Sequence, residues 1–172
     1  MIEVCRASLE LVPGIASLVD VHFRRAEVLP RSAEAIQISI DDWVVAVEGN
    51  AVLACGSLLA YSPTLSEIRS LVVADKFKGK GLGRAIVNAL IEEAQQRGIA
   101  TVFALTRAIT FFEKAGFRRT HRFRFPEKVW RDCITCSIQD RCDEFAVILS
   151  INGHPGPVKR KEKIRNEGDQ HD

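Results

Sequence analysis

Hydrophobic and polar positions alternate between Ile2 and Ala7, which predicts a first strand. The period then lengthens. Leu11, Ile15, Leu18, Val19 and Phe23 recur at helical spacing, so a helix from about Leu9 to Arg25 should turn them to the core, with Ser8 as its cap. Pro13-Gly14 disturbs its first turns. Val28-Leu29-Pro30-Arg31-Ser32 breaks the pattern, and Ser32 opens a short second helix. Apolar runs Trp43 to Val47 and Ala51 to Tyr61 flank Glu48-Gly49-Asn50, which reads as a hairpin. Ser62-Pro63-Thr64 makes another turn, and a strand from Ile68 to Val73 completes a meander.

The stretch Gly81 to Arg97 carries Leu82, Ile86, Leu90 and Ala94 on one stripe, with Asn88, Glu92, Gln95 and Gln96 away from it, and Gly98 as a natural stop. Thr101 to Leu105 is a short apolar strand. Ala108 to Ala115 is a short helix closed by Gly116. Phe117 to Phe125 reads as a strand and Asp143 to Ile151 as the last one. The expected order is β-α-α-β-β-β-α-β-α-β and then a final strand, an α/β (α+β) arrangement. The strand at 68–73, the long helix and the strand at 101–105 form a crossover, so those strands should run parallel. Residues 1–151 read as one domain, with 126–142 as a cysteine-containing covering segment. Residues 152–172 begin with a Gly/Pro break, turn almost wholly charged, and read as a flexible tail.

Composition changes this picture little. The 172 residues are 47% hydrophobic and 27% charged, as in ordinary globular domains, with a net charge of +2. That balance gives no basic field for nucleic acid. No apolar run approaches a membrane span, and the N-terminus lacks a signal core, so a cytoplasmic protein is expected. Five cysteines, an odd count, argue against a disulfide framework.

Candidate chemistry concentrates between the third meander strand and the long helix. Lys78-Gly79-Lys80-Gly81-Leu82-Gly83 follows a strand and opens a helix, with Arg84 next. The first amides of a helix have no internal partner, and the helix dipole favours an anion there. The loop therefore suits a phosphate-bearing ligand. The dinucleotide fingerprint needs G-x-G-x-x-G and the Walker loop ends in G-K-[ST]; G-K-G-L-G meets neither pattern.

Lys78-x-x-Gly81-x-Gly83 resembles the acetyl-CoA loop [QR]-x-x-G-x-[GA] of the GNAT N-acetyltransferase superfamily. Phe111-Phe112-Glu113-Lys114-Ala115-Gly116-Phe117 is similar to its F-Y-x-K-x-G-F segment. The resemblance covers about residues 1–125. It implies a GNAT-like mixed, mostly antiparallel central sheet with helices on both faces, and acetyl-CoA as co-substrate. Two positions depart: Lys78 replaces Gln or Arg, and Phe112 stands where many members carry a proton-donating tyrosine. Leu29 to Ser32, Glu67 to Val73, and Pro126 to Cys133 with Cys136 and Cys142-Asp143-Glu144 are similar to short bacterial N-acetylglutamate synthases. Members of that group commonly carry Phe in the second motif. The implied activity is acetyl transfer to the α-amine of glutamate or a close relative, the first step of arginine biosynthesis.

By that resemblance the thioester lies along Leu71, Val72 and Val73, with the amide of Val72 or Val73 holding the oxyanion. The pyrophosphate sits on the amides from Gly79 to Arg84, with Lys78, Lys80 and Arg84 near it, and Phe111 and Phe112 complete the donor site. Glu67 is the candidate base, directly or through water, against the plainer reading of a solvated strand-end acid. Asp143 and Glu144 are the runners-up. Tyr61, the single tyrosine, lies at a predicted strand end and leaves the proton donor open. A glutamate substrate needs cations, and arginine binds carboxylates as a fork. Arg31 leads, then Arg69 on the face of Glu67, then Lys128.

Cys133, Cys136 and Cys142, with His121 or His154, are weak candidates for a structural zinc site; a second close cysteine pair is missing. The chemistry needs no metal. The expected partners are a small amino-acid acceptor and, as an open option, a second copy of the chain; nucleic acid and membranes are not expected. Competing readings are a GNAT enzyme for another amine, such as glutamine, a peptide N-terminus or a polyamine, and a non-catalytic acetyl-CoA-binding regulatory module. A zinc-dependent interaction module is the third.

Overall fold

A computed structural model of the protein describes residues 1–125, 136 and 142–151. Lys128, Cys133, His154, most of the covering segment and the tail lie outside the described residues. The chain runs through β1 (Glu3–Arg6), α1 (Val12–Arg24), α2 (Ala33–Ile38), β2 (Trp43–Glu48), β3 (Ala51–Ala60), β4 (Leu65–Val73), α3 (Leu82–Gln96), β5 (Thr101–Thr106), α4 (Ile109–Lys114), β6 (Arg118–Thr120) and β7 (Phe145–Ser150). These strands form a mixed, mostly antiparallel sheet in the order β1-β2-β3-β4-β5-β7-β6. The crossover strands β4 and β5 are parallel, as expected. No described helix is long and apolar enough to cross a membrane.

The chain divides into two compact units. One comprises Met1–Ser57 and Ser70–Leu90; the other contains Leu58–Arg69 and the described residues from Ile91 onward.

In the first unit β1, β2 and β3 pair antiparallel, with Cys5 opposite Val45 and Val45 opposite Cys55. The register slips between Ala46, opposite Ala54, and Val47, opposite Val52, so Leu53 is an inserted residue. A one-residue bulge reverses the side-chain alternation. As a result Val52 and Cys55 share a face with Trp43, Val45 and Val47, and with Val72 of β4 they form a core under α1 and α2. Gly14 lets α1 approach: a Cβ there would lie 2.8 Å from Val52 Cγ2. Gly56 lies on the opposite face, beneath Ile86, Leu90 and Leu71. Helices therefore cover both faces of this unit.

Several boundaries differ from the sequence expectation. Leu9–Leu11 is a 3-10 turn and α1 begins at Val12, with Pro13 in its first turn, where a missing N–H costs nothing. Ser8 bonds Glu10 rather than capping a helix. The buried stripe of α1 is Val12, Ile15, Val19 and His22, while Phe23 is exposed, so the predicted stripe was rotated by about one position at each end. Ser32 does cap α2, accepting from the Ala35 amide at 3.1 Å. On α3, Leu82, Ile86, Leu90 and Ala94 are buried as expected, and Val87, Ile91 and Glu93 are buried too. Glu93 is accommodated through Arg97, one turn on, at 2.8 Å.

In the second unit β4 pairs with β5, Leu65 beside Thr101 and Glu67 beside Phe103. β7 inserts between β5 and β6, antiparallel to both. β4 begins at Leu65, three residues before the expected start, so Glu67 is within the strand and not at its end. The expected strand 117–125 shrinks to Arg118–Thr120, followed by a 3-10 turn at Arg122–Arg124. Phe103, Phe125, Ala146 and Ile148 form this unit's core, with Tyr61, Leu65 and Leu105 against it.

Candidate active site

In the first unit, β4 delivers the chain to the glycine loop. Gly79 and Gly81 adopt φ of 77° and 83°, the left-handed region that glycine enters without steric cost. A Cβ at either would meet nothing within 4 Å, so backbone conformation, not space, requires glycine there. The Ala85 amide donates to Gly81 O at 3.0 Å and starts the helical ladder. The amides of Leu82, Gly83 and Arg84 precede that ladder and form the anion-favouring first turn of α3. The Leu82 side chain is buried in the core, so only its backbone can serve a ligand, whereas Lys78, Lys80 and Arg84 are exposed.

The cations of this loop are held in defined places. Lys78 Nζ pairs with Asp75 Oδ1 at 2.8 Å. Arg25, at the end of α1, takes the same carboxylate through Nη2–Oδ2 at 2.8 Å and Nη1–Oδ1 at 3.1 Å. These bonds, Arg25's first and then Lys78's, hold the Asp75 carboxyl well below the usual carboxylate range. Lys80 Nζ lies 5.2 Å from the centre of the Phe77 ring. Sequence reasoning missed Arg25 and Asp75; fifty residues separate them, and only the fold brings them together.

Farther back on β4, Val72 is buried while Leu71 and Val73 are half-buried. The Ala74 amide donates to Leu53 O of β3 at 2.8 Å. Strand alternation then aims the Val72 amide at β3 as well, and the amides of Leu71 and Val73 at the other edge. Ser70 has φ of 55°, a left-handed conformation that non-glycine residues rarely adopt, and it lies within β4 just before them. Arg31 is half-buried, and its Nη1 donates to Pro30 O at 3.2 Å.

In the second unit Glu67 is 2% exposed, which corrects the reading of a solvated strand-end acid. Tyr61 Oη donates to Glu67 Oε2 at 2.7 Å. The hairpin explains the meeting: the Tyr61 amide donates to Leu65 O, so Tyr61, Leu65 and Glu67 lie on one face. The expectation for Tyr61 overlooked this; the signal was the hairpin register across Ser62-Pro63-Thr64. Arg69 is two residues beyond Glu67 on the strand and is half-buried.

The runner-up acids are committed elsewhere. Arg107 Nε bonds Asp143 Oδ1 and its Nη1 lies 3.9 Å from Glu144 Oε1. The bond from Arg107 lowers the Asp143 carboxyl from its ordinary value, the wrong direction for a general base. Phe112 is buried, edge-on to Phe117 at 5.1 Å and to Phe111 at 5.2 Å, so it is a packing residue of α4 with no proton to give. Cys136 and Cys142 are half-buried free thiols, and Cys55 is buried, with its thiol pushed up by burial. Among the described residues no group of three or more metal-ligating side chains is assembled.

A family model described as Acetyltransferase (GNAT) family matches residues 18–117. The chain belongs to that family. That membership identifies it as a GNAT acetyltransferase. It is similar to an uncharacterized N-acetyltransferase of Chlorobaculum tepidum, 33% identical over 145 residues, covering 84% of this GNAT chain and 94% of the relative. It is also similar to the amino-acid acetyltransferase of Photorhabdus laumondii, 28% identical over 117 residues, or 67% of this chain. The match spans about a quarter of that longer protein, 26%. Among solved structures, a Mycobacterium tuberculosis protein in complex with CoA and NLQ aligns with a TM-score of 0.71 and 26% identity, covering 86% of this chain and 98% of that one. N-acetylglutamate synthase from Neisseria gonorrhoeae, complexed with coenzyme A and N-acetyl-glutamate, shares the fold, with a TM-score of 0.77 at 20% identity over 88% of this chain and 35% of its own.

Proposed function

We propose that this protein transfers the acetyl group of acetyl-CoA to the α-amine of a small amino acid, with L-glutamate the first candidate and arginine biosynthesis the setting. The observation that carries the chemistry is Glu67, a buried carboxylate with one oxygen held by Tyr61. The amino-acid acetyltransferase name of a relative at 28% identity supports the acceptor class.

In this reading the pyrophosphate rests on the first amides of α3, and the thioester lies along the end of β4. Glu67 takes a proton from the acceptor's ammonium, directly or through water. The neutral amine attacks the thioester carbonyl, and the oxyanion accepts from a backbone amide. Val73 is the better donor of the two expected, because the Val72 amide points at β3. The carbon–sulfur bond then breaks, the attacking nitrogen gives up its remaining extra proton to water, and the thiolate takes a proton from solvent, since Phe112 has none to offer. Arg31 and Arg69 are the proposed carboxylate clamps for the acceptor. Holding both reactants together contributes much of the rate, about 7–11 kcal/mol at best.

A thiol-release assay with acetyl-CoA and a panel of the twenty amino acids tests this reading. Glutamate should turn over fastest, with glutamine as the closest competitor. No turnover with any amino acid overturns it. The phenylalanine at 112 favours one second reading, an acetyl-CoA-binding regulatory module, which would bind acetyl-CoA in calorimetry without releasing thiol.

A further inference from the structure

We infer that Tyr61 is a positioning residue for Glu67, fixing the carboxylate plane from which the acceptor's proton is removed. The inference rests on the reading of Glu67 as the base. A carboxyl group 2% exposed needs hydrogen-bond partners inside the protein, and Tyr61 Oη donates one to Oε2 at 2.7 Å. The donor is itself immobilised. Its ring centre lies 5.6 Å from that of Phe103, inclined at 46°, and Phe103 stacks on Phe125 with centres 3.9 Å apart. Phe103 is 1% exposed and sits beside Glu67 in the parallel ladder. The hairpin bond from the Tyr61 amide to Leu65 O sets the backbone from which the ring departs. Three packed rings and one hairpin therefore set where the hydroxyl stands, and the hydroxyl holds one oxygen of the carboxylate. No other tyrosine exists in the chain to replace it.

Orientation of a proton acceptor matters because proton transfer falls off steeply once the acceptor leaves hydrogen-bond reach and alignment. Tyr61→Phe keeps the ring and deletes the hydroxyl. It should lower kcat about tenfold and leave the KM for acetyl-CoA unchanged, a split that mere loosening of the fold would not produce.

The test is a cycle of four proteins: wild type, Tyr61→Phe, Glu67→Gln and the double variant. Each is assayed for thiol release with acetyl-CoA and the best acceptor of the amino-acid panel, after circular dichroism and acetyl-CoA calorimetry show that it is folded. The expected result is a kcat loss of about a hundredfold or more for Glu67→Gln, about tenfold for Tyr61→Phe, and no further loss in the double variant beyond Glu67→Gln. An equal tenfold effect of Tyr61→Phe in both backgrounds overturns the inference, because the hydroxyl would then act independently of Glu67. A full loss in Glu67→Gln with none in Tyr61→Phe overturns the positioning role alone. An unchanged kcat in Glu67→Gln overturns the base assignment, and the inference with it, as does the absence of turnover with every acceptor.

Discussion

A Cβ placed on Gly56 would stand 2.9 Å from Cγ2 of Ile86 and 3.1 Å from Cδ1 of Leu90, so β3 carries glycine where α3 crosses it. Both neighbours are fully buried and cannot swing into solvent. Gly56→Val should therefore destabilise the protein by about 2 kcal/mol through overpacking. The melting temperature should fall by about 4–8 °C, at roughly 2–4 °C per kcal/mol for a chain of this size. Gly56→Ala should show a smaller fall in the same direction. An unchanged melting temperature for the valine variant would mean that α3 can lift off the strand freely.

The glycine loop and this crossing show which features were legible in the chain and which were not. Gly79 and Gly81 announced themselves, because a short-range motif carries its own conformational demand. The stripe Leu82, Ile86, Leu90 and Ala94 was legible for a similar reason: helical period is local. The donor half of the candidate site was therefore readable as a glycine loop opening a helix, a candidate site for phosphates. The rest depended on register. The inserted Leu53 reverses the alternation of β3, and no single residue type marks it. Tyr61 reaches Glu67 only because the hairpin pairs Tyr61 with Leu65. Arg25 reaches Asp75 only because α1 ends near the start of the loop. Phe117 to Phe125 looked like one strand, yet pairing with β7 extends only over Arg118 to Thr120. Local pattern gives element type, whereas side-chain partners across elements require the pairing itself.

Ser66 lies one residue from Glu67 on β4 and so on its opposite face, fully buried beside Val102. Its hydroxyl has no hydrogen-bond partner among the described residues. An unsatisfied buried hydroxyl costs about 1–3 kcal/mol. Ser66→Ala should accordingly raise the melting temperature by a few degrees and leave kcat within twofold of wild type. A lower melting temperature would show that the hydroxyl finds a partner in solution.

Asp75 neutralises cations beside the proposed pyrophosphate site, and its charge would repel the donor's phosphates. Asp75→Asn should lower the KM for acetyl-CoA about two- to fivefold at low ionic strength, on the scale of about 1 kcal/mol for one charge in water. The difference should vanish near molar salt, where screening acts over about 3 Å. Steady-state kinetics at two ionic strengths checks this; a rise in KM would mean that the carboxylate's ordering of the loop outweighs its charge.

The same carboxylate predicts a pH signature. Its folded pKa is depressed by Arg25 and Lys78, so its contribution to stability is complete above the unfolded value, near 3.9. That contribution is lost as pH falls through the still lower folded value. The melting-temperature difference between wild type and Asp75→Asn should be constant from pH 5 to 8 and shrink below pH 4. The pair is exposed, so the difference itself should be small.

If the acceptor is an amino dicarboxylate, Arg31 is its leading clamp and the effect of losing it should fall on the acceptor alone. Arg31→Ala should raise the KM for glutamate about tenfold or more, the scale of one charge-assisted hydrogen-bond pair, and leave the KM for acetyl-CoA unchanged. Arg31→Lys should recover only part of the loss, because an ammonium cannot present two parallel donors to a carboxylate. Glutamine discriminates further. If Arg31 binds the side-chain carboxylate, Arg31→Ala should hurt glutamate far more than glutamine. If it binds the α-carboxylate, both acceptors should suffer equally. An unchanged KM for both would remove Arg31 from the acceptor site and leave Arg69 as the clamp to test next.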